Sequence, residues 1–236
     1  MRSYDAAGST LSLVPSEADK AAWLCWTQIK LERIMTYYWL GQSAEMLQLI
    51  EQVQPVIKQH DSLILQARLH QLSSIGLLRG SRYRASSAAV IHAEAYLSAL
   101  EQASAPDLLP AAHFQLGFAL LWADELEAAE AELQAALALA ERSGDISLEG
   151  RCITYLTVIA RKRGQLAQAR VYAERSLRVA TAGNMFDYIG AAHGNLAWLA
   201  YRAADLEQTR THGASALAAW SQLQASYMFE ALAAGR

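Results

Sequence analysis

Four acidic residues in one short segment are of the type that enzymes use in pairs for general acid–base catalysis. Glu125 and Glu127, and likewise Glu130 and Glu132, stand two residues apart in a segment rich in Ala and Leu. Acid–base work needs a desolvated pocket that separates two carboxyl pKa values. The apolar spacing instead predicts a surface helix with these carboxylates on its outer side, so we expect a solvated acidic face near the positive end of the helix dipole.

The histidines form no recognisable catalytic or metal-binding motif. His92-Ala93-Glu94 matches the first half of a zinc deaminase motif, but no Pro-Cys-x-x-Cys follows it, and we expect a solvated helix surface there. His113 and His193 occupy one repeat position two units apart, which favours packing over metal coordination. Because the chain also lacks His-Glu-x-x-His and Gly-x-x-x-x-Gly-Lys-Ser/Thr, we predict that it is not an enzyme and binds no cofactor and no metal.

Arginine and aromatic side chains are better candidates for function, because both are enriched at binding hot spots. They recur in segments that we predict to line one face of a repeat array, and arginine suits bidentate capture of a carboxylate or phosphate. Asn195 stands in the same predicted segment as Trp198, and an Asn amide can both donate to and accept from a peptide backbone. The predicted partner-binding residues are Phe118, Trp122, Arg151, Arg161, Lys162, Asn195, Trp198, Tyr201 and Arg202.

A purely structural interpretation of these residues stays open. The run Arg161-Lys162-Arg163 ends a predicted helix, where cations stabilise the helix dipole by about 0.3–1 kcal/mol. Trp198 and Tyr201 also fit core packing between repeats. The sequence therefore allows either a ligand-contacting patch or dipole compensation combined with packing.

A repeat of about 40 residues must position these side chains. Turn residues recur at Gly41, Gly80, Asp124, Gly164 and Ala204, with gaps of 39, 44, 40 and 40 residues. A fixed period in this range is typical of stacked helical pairs. We predict an all-α fold, a right-handed α-solenoid of about five antiparallel helix pairs, and such folds mostly bind partners along a concave face.

The segment 111–141 shows the repeat most clearly. A shift of 40 places Leu116 on Leu156, and a second shift reaches Leu196. The second helix of the segment carries apolar residues at three- and four-residue steps, namely Leu126, Ala129, Leu133, Ala136, Leu137 and Ala140. Earlier units are more diverged, with helices predicted over 18–40, from Gln42 to about 59 with Pro55 as a kink or early stop, over 62–78 and over 84–103.

The ends of the chain differ from its middle. We predict a flexible lead-in over 1–16 and a single solenoid domain over 17–236. The segment 225–236 is short and apolar, whereas solenoids usually close with a polar capping helix. We expect either a piece of a longer protein or an end that pairs with another copy as a homodimer.

Composition limits the partners and the location. The net charge of −3, with basic residues that are local rather than arranged in a stripe, argues against nucleic acid and anionic membrane as partners. No stretch reaches the roughly 18 apolar residues of a membrane span, and the first residues lack the apolar core of a signal peptide. Cys25 and Cys152 form no CxxC pair, and we expect reduced, buried thiols in a cytoplasmic protein.

The segment 110–141 resembles the tetratricopeptide repeat in part. Leu116-Gly117, Ala129 and Ala136 match its pattern, whereas His113 and Leu133 replace the expected Trp and aromatic residue. Residues 20–222 as a whole are similar to the MalT-like helical-repeat region of large bacterial signalling proteins. Those proteins carry a STAND-type ATPase, often with a class III nucleotide cyclase or a DNA-binding domain. Runs that carry this resemblance include KLERIMTYYWLGQSAEMLQLIEQVQPVI and AAHGNLAWLAYRAADLEQ.

The resemblance implies that the repeats act as a sensor or scaffold while enzymatic parts lie elsewhere in the parent chain. We therefore predict a non-enzymatic protein–protein interaction module of bacterial signalling or transcription regulation. Its concave groove would bind a partner segment or an adjacent domain. The alternative is a receptor for a small anionic or peptide effector in the same groove.

Overall fold

The computed structural model describes residues 20–59, 62–84 and 86–223. Within these ranges the chain forms ten α-helices, one 3-10 turn (Pro106–Leu108) and no strand. The predicted lead-in over 1–16 and the tail 225–236 lie outside the described residues. The helices are α1 (Lys20–Trp39), α2 (Ser43–Lys58), α3 (Leu63–Gly80), α4 (Ser87–Gln102), α5 (Leu109–Trp122), α6 (Leu126–Ser143), α7 (Ile146–Lys162), α8 (Leu166–Ala182), α9 (Phe186–Arg202) and α10 (Leu206–Trp220).

The helices belong to two compact units, Met1–Glu125 and Leu126–Arg236. In the first unit each helix from α1 to α5 packs on the next, and α3 also contacts both α1 and α5. In the second unit each helix from α6 to α10 packs on the next, and α7 also contacts α9. The odd-numbered helices therefore form a row within each unit, as the first helices of successive pairs do in a helical-repeat fold. The single domain over 17–236 stays a prediction.

At the predicted turns, a residue in the left-handed backbone conformation follows the first helix of each helical pair. At the α7–α8 turn, the Gly164 N–H donates to Arg161 O at 3.0 Å and the Gln165 N–H donates to Ala160 O at 2.9 Å. This pair of bonds is the Schellman arrangement, which satisfies two carbonyls at a helix end. The same left-handed conformation occurs at four of the five predicted turn positions, with φ of 74° at Gly41, 67° at Asp124, 71° at Gly164 and 59° at Ala204.

Gly80 is the exception among the predicted turn residues. It is the last residue of α3, and the left-handed residues of this turn are Arg82 and Tyr83, with φ of 54° and 57°. A Cβ at Gly80 would lie 3.4 Å from Leu47 Cδ1 of α2. This is an ordinary contact distance, so the approach of α2 does not require glycine here, and the turn follows two residues later.

The buried stripes follow the predicted apolar spacing. On α6 the buried residues are Ala129, Leu133, Ala136, Leu137 and Ala140, whereas Leu126 is only half-buried. In the second unit one core cluster contains Ala160, Ala169, Ala173, Leu196 and Leu199. Small residues at its centre allow α7, α8 and α9 to approach closely.

Pro55 neither stops nor shortens α2, which continues to Lys58. Proline removes one backbone donor from a helix interior, and the carbonyl it leaves unpaired is that of Glu51. Both Pro55 and Glu51 are exposed, so water can satisfy this carbonyl and the helix persists.

One of the two expectations about the cysteines is wrong. Cys25 is exposed, because the buried stripe of α1 contains Trp23, Trp26 and Thr27 and turns Cys25 outward. Cys152 is buried as expected, and burial raises the pKa of its thiol to about 12.

The acidic face of α6 is only partly solvated. Glu130 is half-buried, and both it and Glu127 form ion pairs with Arg163. The Arg163 side chain is only 18% exposed, so these two carboxylates neutralise a largely buried cation. No helix in the described ranges is both long enough and apolar enough to cross a membrane.

Candidate functional site

Four predicted site residues lie together where α7 and α9 pack. Arg161 is in the last turn of α7, and its Nη1 donates to Asn195 Oδ1 of α9 at 2.5 Å. Its guanidinium carbon lies 4.3 Å from the ring centroid of Trp198. Arg202, the last residue of α9, places its guanidinium carbon 5.4 Å from the same centroid. We call these four residues, Arg161, Asn195, Trp198 and Arg202, the α7–α9 cluster.

The Arg161 guanidinium is incompletely compensated. Burial lowers the pKa of Arg161, which shows that the environment penalises its charge. Its Nε is buried and has no hydrogen-bond acceptor among the described residues. The contacts that offset this cost are the neutral Asn195 amide and the Trp198 ring, and a cation on an aromatic face gains about 0.5–2 kcal/mol.

Two other arginines of the second unit, Arg163 and Arg175, have carboxylate partners. Two ion pairs neutralise each of Arg163 and Arg175, in contrast to Arg161 and Arg202, which make no ion pair with a described residue. The pairs are Arg163 with Glu127 and Glu130, and Arg175 with Glu141 and Glu149. The α7–α9 cluster is therefore a local concentration of positive charge on a chain with a net charge of −3.

Trp198 is placed both for core packing and for contact with a ligand, the two roles that the sequence leaves open. It is half-buried and packs against the core cluster that contains Leu196 and Leu199, while Asn195 is only 4% exposed. Because part of the indole remains accessible beside two guanidinium groups, core packing and surface presentation coexist in one side chain.

The remaining predicted residues of this unit lie around the cluster or away from it. Tyr201, one turn beyond Trp198, is 62% exposed, and Lys162 is exposed next to Arg161. Arg151 is ten residues before Arg161 on α7, which separates them by about 15 Å along the helix axis. There Arg151 faces Asp187. Burial raises the pKa of the Asp187 carboxyl, and the positive charge of Arg151 offsets part of this increase.

Phe118 and Trp122 belong to an aromatic cluster in the first unit. The Phe118 ring lies edge-on to Trp122 at 6.0 Å and is nearly parallel to Phe114 at 5.9 Å. Tyr83 completes the cluster, 5.4 Å from Trp122 and 6.0 Å from Phe118. Burial raises the pKa of the Tyr83 hydroxyl, which also interacts with Tyr38. Phe118 is only 8% exposed, so its main contacts are internal.

Sequence reasoning did not identify Tyr83 as part of this aromatic cluster. The residue is outside the predicted repeat pattern, because the turn that holds it is displaced from Gly80. The prediction that His92 lies on a solvated helix surface is wrong, because its Nδ1 lies 2.8 Å from Nδ1 of His70 and both rings are half-buried. No group of three or more His, Cys, Asp or Glu residues within the described ranges is arranged to hold a metal ion.

Solved structures of known proteins share this fold. Aspartyl phosphate phosphatase F from Bacillus subtilis aligns with a TM-score of 0.70 and 18% identity, over 89% of this chain and 53% of that one. The apo form of RapI aligns with a TM-score of 0.68 and 15% identity, over 92% and 88%. A Rap protein complexed with competence and sporulation factor aligns with a TM-score of 0.69 and 17% identity, over 99% and 66%. The chain thus spans about half the length of the phosphatase.

These likenesses show the fold alone. They confirm that the chain is an all-α protein of the tetratricopeptide-like helical-repeat type, the α-solenoid class that the 40-residue period predicts. No protein-family model matches the chain, and no curated protein sequence matches it.

Proposed function

We propose that this protein is a non-enzymatic interaction module that holds a segment of a partner protein along α7 and α9. The observation that carries this proposal is the α7–α9 cluster, in which two arginines without carboxylate partners lie within 5.4 Å of the centroid of one indole ring. Arginine and tryptophan are the residue types most enriched at binding hot spots. A partner segment would supply the ion-pair partners that Arg161 and Arg202 do not find among the described residues.

The fold comparison supports a binding role. One structure with this fold holds a Rap protein in complex with competence and sporulation factor. In helical-repeat proteins the row of first helices lines the concave binding surface, and α7 and α9 belong to that row in the second unit. The predicted site residues on these two helices are therefore on the elements that such folds use for recognition.

We place this module in bacterial signalling or transcription regulation. The similarity of residues 20–222 to MalT-like repeat regions suggests that its partner is either another protein or a STAND-type ATPase, cyclase or DNA-binding domain of its own parent chain. A cytoplasmic location, the absence of direct nucleic-acid and membrane binding, and a homodimer formed through the C-terminal end are further parts of this proposal.

Site-specific photo-cross-linking tests the proposal. Tyr201 would be replaced with p-benzoylphenylalanine, because its side chain is exposed beside the α7–α9 cluster. Val171 is a matched control, since it is 58% exposed on α8, the second helix of its pair. Both variants would be irradiated in an extract of the source cells, and cross-linked peptides would be identified by mass spectrometry.

We expect a defined partner segment to cross-link to residue 201 and not to residue 171. An excess of the unmodified chain should abolish the product, because it competes for the same segment. Equal products from both positions, or none from position 201, would show that the α7–α9 surface does not hold a partner.

A small anionic or peptide effector is the second candidate function. The half-buried Arg161 favours it, because it has no ion-pair partner among the described residues and a guanidinium recognises carboxylates and phosphates. The discriminating measurement is thermal unfolding with individual small carboxylic and phosphoric acids at millimolar concentration. A rise in the melting temperature that is absent in the Arg161→Lys variant would favour the effector, since lysine keeps the charge but loses the planar fork.

A further inference from the structure

We infer that the partner segment is acidic, and that one of its carboxylates is held between Arg161 and Arg202 beside Trp198. This inference rests on the proposed function and names the chemistry of its ligand. It follows from three features of the α7–α9 cluster: its uncompensated charge, its asymmetric use of the Arg161 nitrogens, and its open surface.

The first feature is the uncompensated charge. Two guanidinium groups lie within 5.4 Å of one ring centroid, and neither forms an ion pair with a described residue. Two cations placed around one ring repel each other, and removing a cation from water is costly unless an anion compensates it. A ligand carboxylate near both groups would relieve both effects. Arg163 and Arg175 show the compensated state in the same unit, each with two carboxylates.

The second feature is the asymmetric use of the Arg161 nitrogens. Nη1 is occupied by Asn195 Oδ1, which fixes the guanidinium over Trp198. Nη2 has no acceptor among the described residues, and Nε is buried without one. Arginine binds carboxylates best when its fork is held in place in advance. Asn195 therefore acts as a positioning residue for Arg161, and we assign Nη2 to the ligand carboxylate.

The third feature is the open surface, which favours a protein segment over a small anion. Arg202 and Tyr201 are exposed, and Trp198 is half-buried. An acidic segment would place its carboxylate between the guanidinium groups and lay neighbouring apolar atoms on the two aromatic rings. Nucleic acid fits less well, because the net charge is −3 and phosphate backbones select continuous basic surfaces.

Selection from a displayed library of random dodecapeptides tests the inference. The immobilised full chain would be the target, and the Arg202→Gln chain would serve for counter-selection. Arg202 is exposed, so this variant should fold normally. Arg210→Gln is the matched control, because Arg210 is an exposed arginine of the neighbouring helix α10. Arg161→Lys tests the second, half-buried arginine of the cluster and retains its positive charge.

We expect the selected peptides to share Asp or Glu at one fixed position beside an apolar residue. Changing that acid to its amide should weaken binding by about tenfold or more, because it removes a charge-assisted contact. Arg202→Gln and Arg161→Lys should weaken the acidic peptide by a similar factor and leave its amide form unaffected. Arg210→Gln should leave both unchanged, and added salt should weaken the acidic peptide selectively.

Each contrary outcome has a separate meaning. Selected peptides that cross-link through position 201 but share no acidic position would show that the partner segment is not acidic. The proposed function would then still hold. If no selected peptide cross-links through position 201, the proposed function itself fails. If free acetate, glutamate or inorganic phosphate competes as well as the whole peptide, the ligand is a small anion and the inferred protein segment is wrong.

Discussion

His193 of α9 and His212 of α10 face each other with their Nδ1 atoms 3.1 Å apart. Their ring centroids are 5.3 Å apart, so each Nδ1 points almost directly at the other. One ring must then donate Nδ1–H and the other must accept it. The pair can bind one additional proton at Nε2 of the donor ring. A second additional proton would have to bind Nδ1 of the acceptor ring, and the hydrogen bond between the rings would then be lost. The pair therefore resists double protonation.

The same kind of cross-link occurs in two other helix pairs. His70 of α3 and His92 of α4 have Nδ1 atoms 2.8 Å apart. Between α7 and α8 the cross-link is made by hydroxyl groups instead, since Thr154 and Ser176 are 2.8 Å apart and both buried. The Thr154–Ser176 cross-link does not titrate in this pH range, so it provides an internal control for the two histidine cross-links.

Acidification should loosen the two histidine-linked pairs selectively. Burial, and then the charge of the facing ring, lower the pKa of His70 and His193, and burial with Lys58 lowers that of His92. Lowered pKa values mean that the unfolded chain binds more protons. The stabilisation is therefore complete above the ordinary value of 6.5 and is lost as the pH falls from there toward the lowered values.

Hydrogen exchange between pH 7.5 and 5.0, corrected for the intrinsic rates, measures this effect. We expect amides of α3, α4, α9 and α10 to lose protection on acidification while those of α7 and α8 retain it. The double variant His193→Thr, His212→Ser copies the hydroxyl cross-link and should remove the pH dependence of α9 and α10 alone. Equal loss of protection in all three helix pairs would contradict the prediction.

Replacing Ala204 with glycine should stabilise the protein. Ala204 has a φ of 59°, and a left-handed conformation costs a residue with a Cβ about 1–2 kcal/mol. Glycine removes this cost but loses more backbone entropy on folding, so we expect a net gain of about 0.5–1 kcal/mol. The adjacent Ala203 has a φ of −88°, and Ala203→Gly should destabilise. Chemical denaturation of both variants measures the difference, and a change of the same sign in both would be inconsistent with the assigned turn.

Replacing Ala169 with leucine should overpack the interior of the second unit. Ala169 is fully buried in the cluster with Ala160, Ala173 and Leu196, and added side-chain volume in a packed core costs about 1–3 kcal/mol. Ala167→Leu is the control, because Ala167 is exposed on the same helix. Thermal unfolding should show a lower melting temperature for the first variant only. An unchanged melting temperature for Ala169→Leu would show that its site can expand.

Sequence spacing predicted the fold because the repeat is encoded locally. The turn residues and the apolar stripe of α6 depend on helix geometry and period, and both are found where the spacing places them, apart from the turn near Gly80. A shift of 40 residues also placed the predicted residues Arg161 and Trp198 on first helices, and in the structure these side chains meet.

Contacts that depend on side-chain reach between helices were not predictable in this way. The spacing of residues on each helix does not reveal that Glu130 bonds Arg163, or that His70 meets His92. The distance between Arg151 and Arg161 along α7 follows from the helical rise, but the choice of Asp187 as the charge that faces Arg151 depends on how α9 is packed. The absence of an ion-pair partner for Arg161 is likewise a tertiary feature.

Replacing Gly190 with alanine should disrupt the packing of Trp220 on α9. A Cβ at Gly190 would lie 2.2 Å from Nε1 and 2.5 Å from Cδ1 of Trp220. The indole is held in place by its hydrogen bond from Nε1 to Asp187 O at 3.1 Å, and it is only 4% exposed. The new methyl group must therefore displace the ring, and we expect a loss of stability of about 1–3 kcal/mol.

Gly194, one turn further along α9, provides the matched control for Gly190. A Cβ there would meet Trp220 at 3.7 Å, an ordinary contact distance, so Gly194→Ala should instead stabilise the helix by up to about 1 kcal/mol. In a Trp220→Ala background the steric conflict disappears, and Gly190→Ala should then also become stabilising. Urea denaturation of the four chains gives the coupling between the two positions. If Gly190→Ala were equally destabilising with and without the indole, its effect would arise from the α9 backbone and not from Trp220.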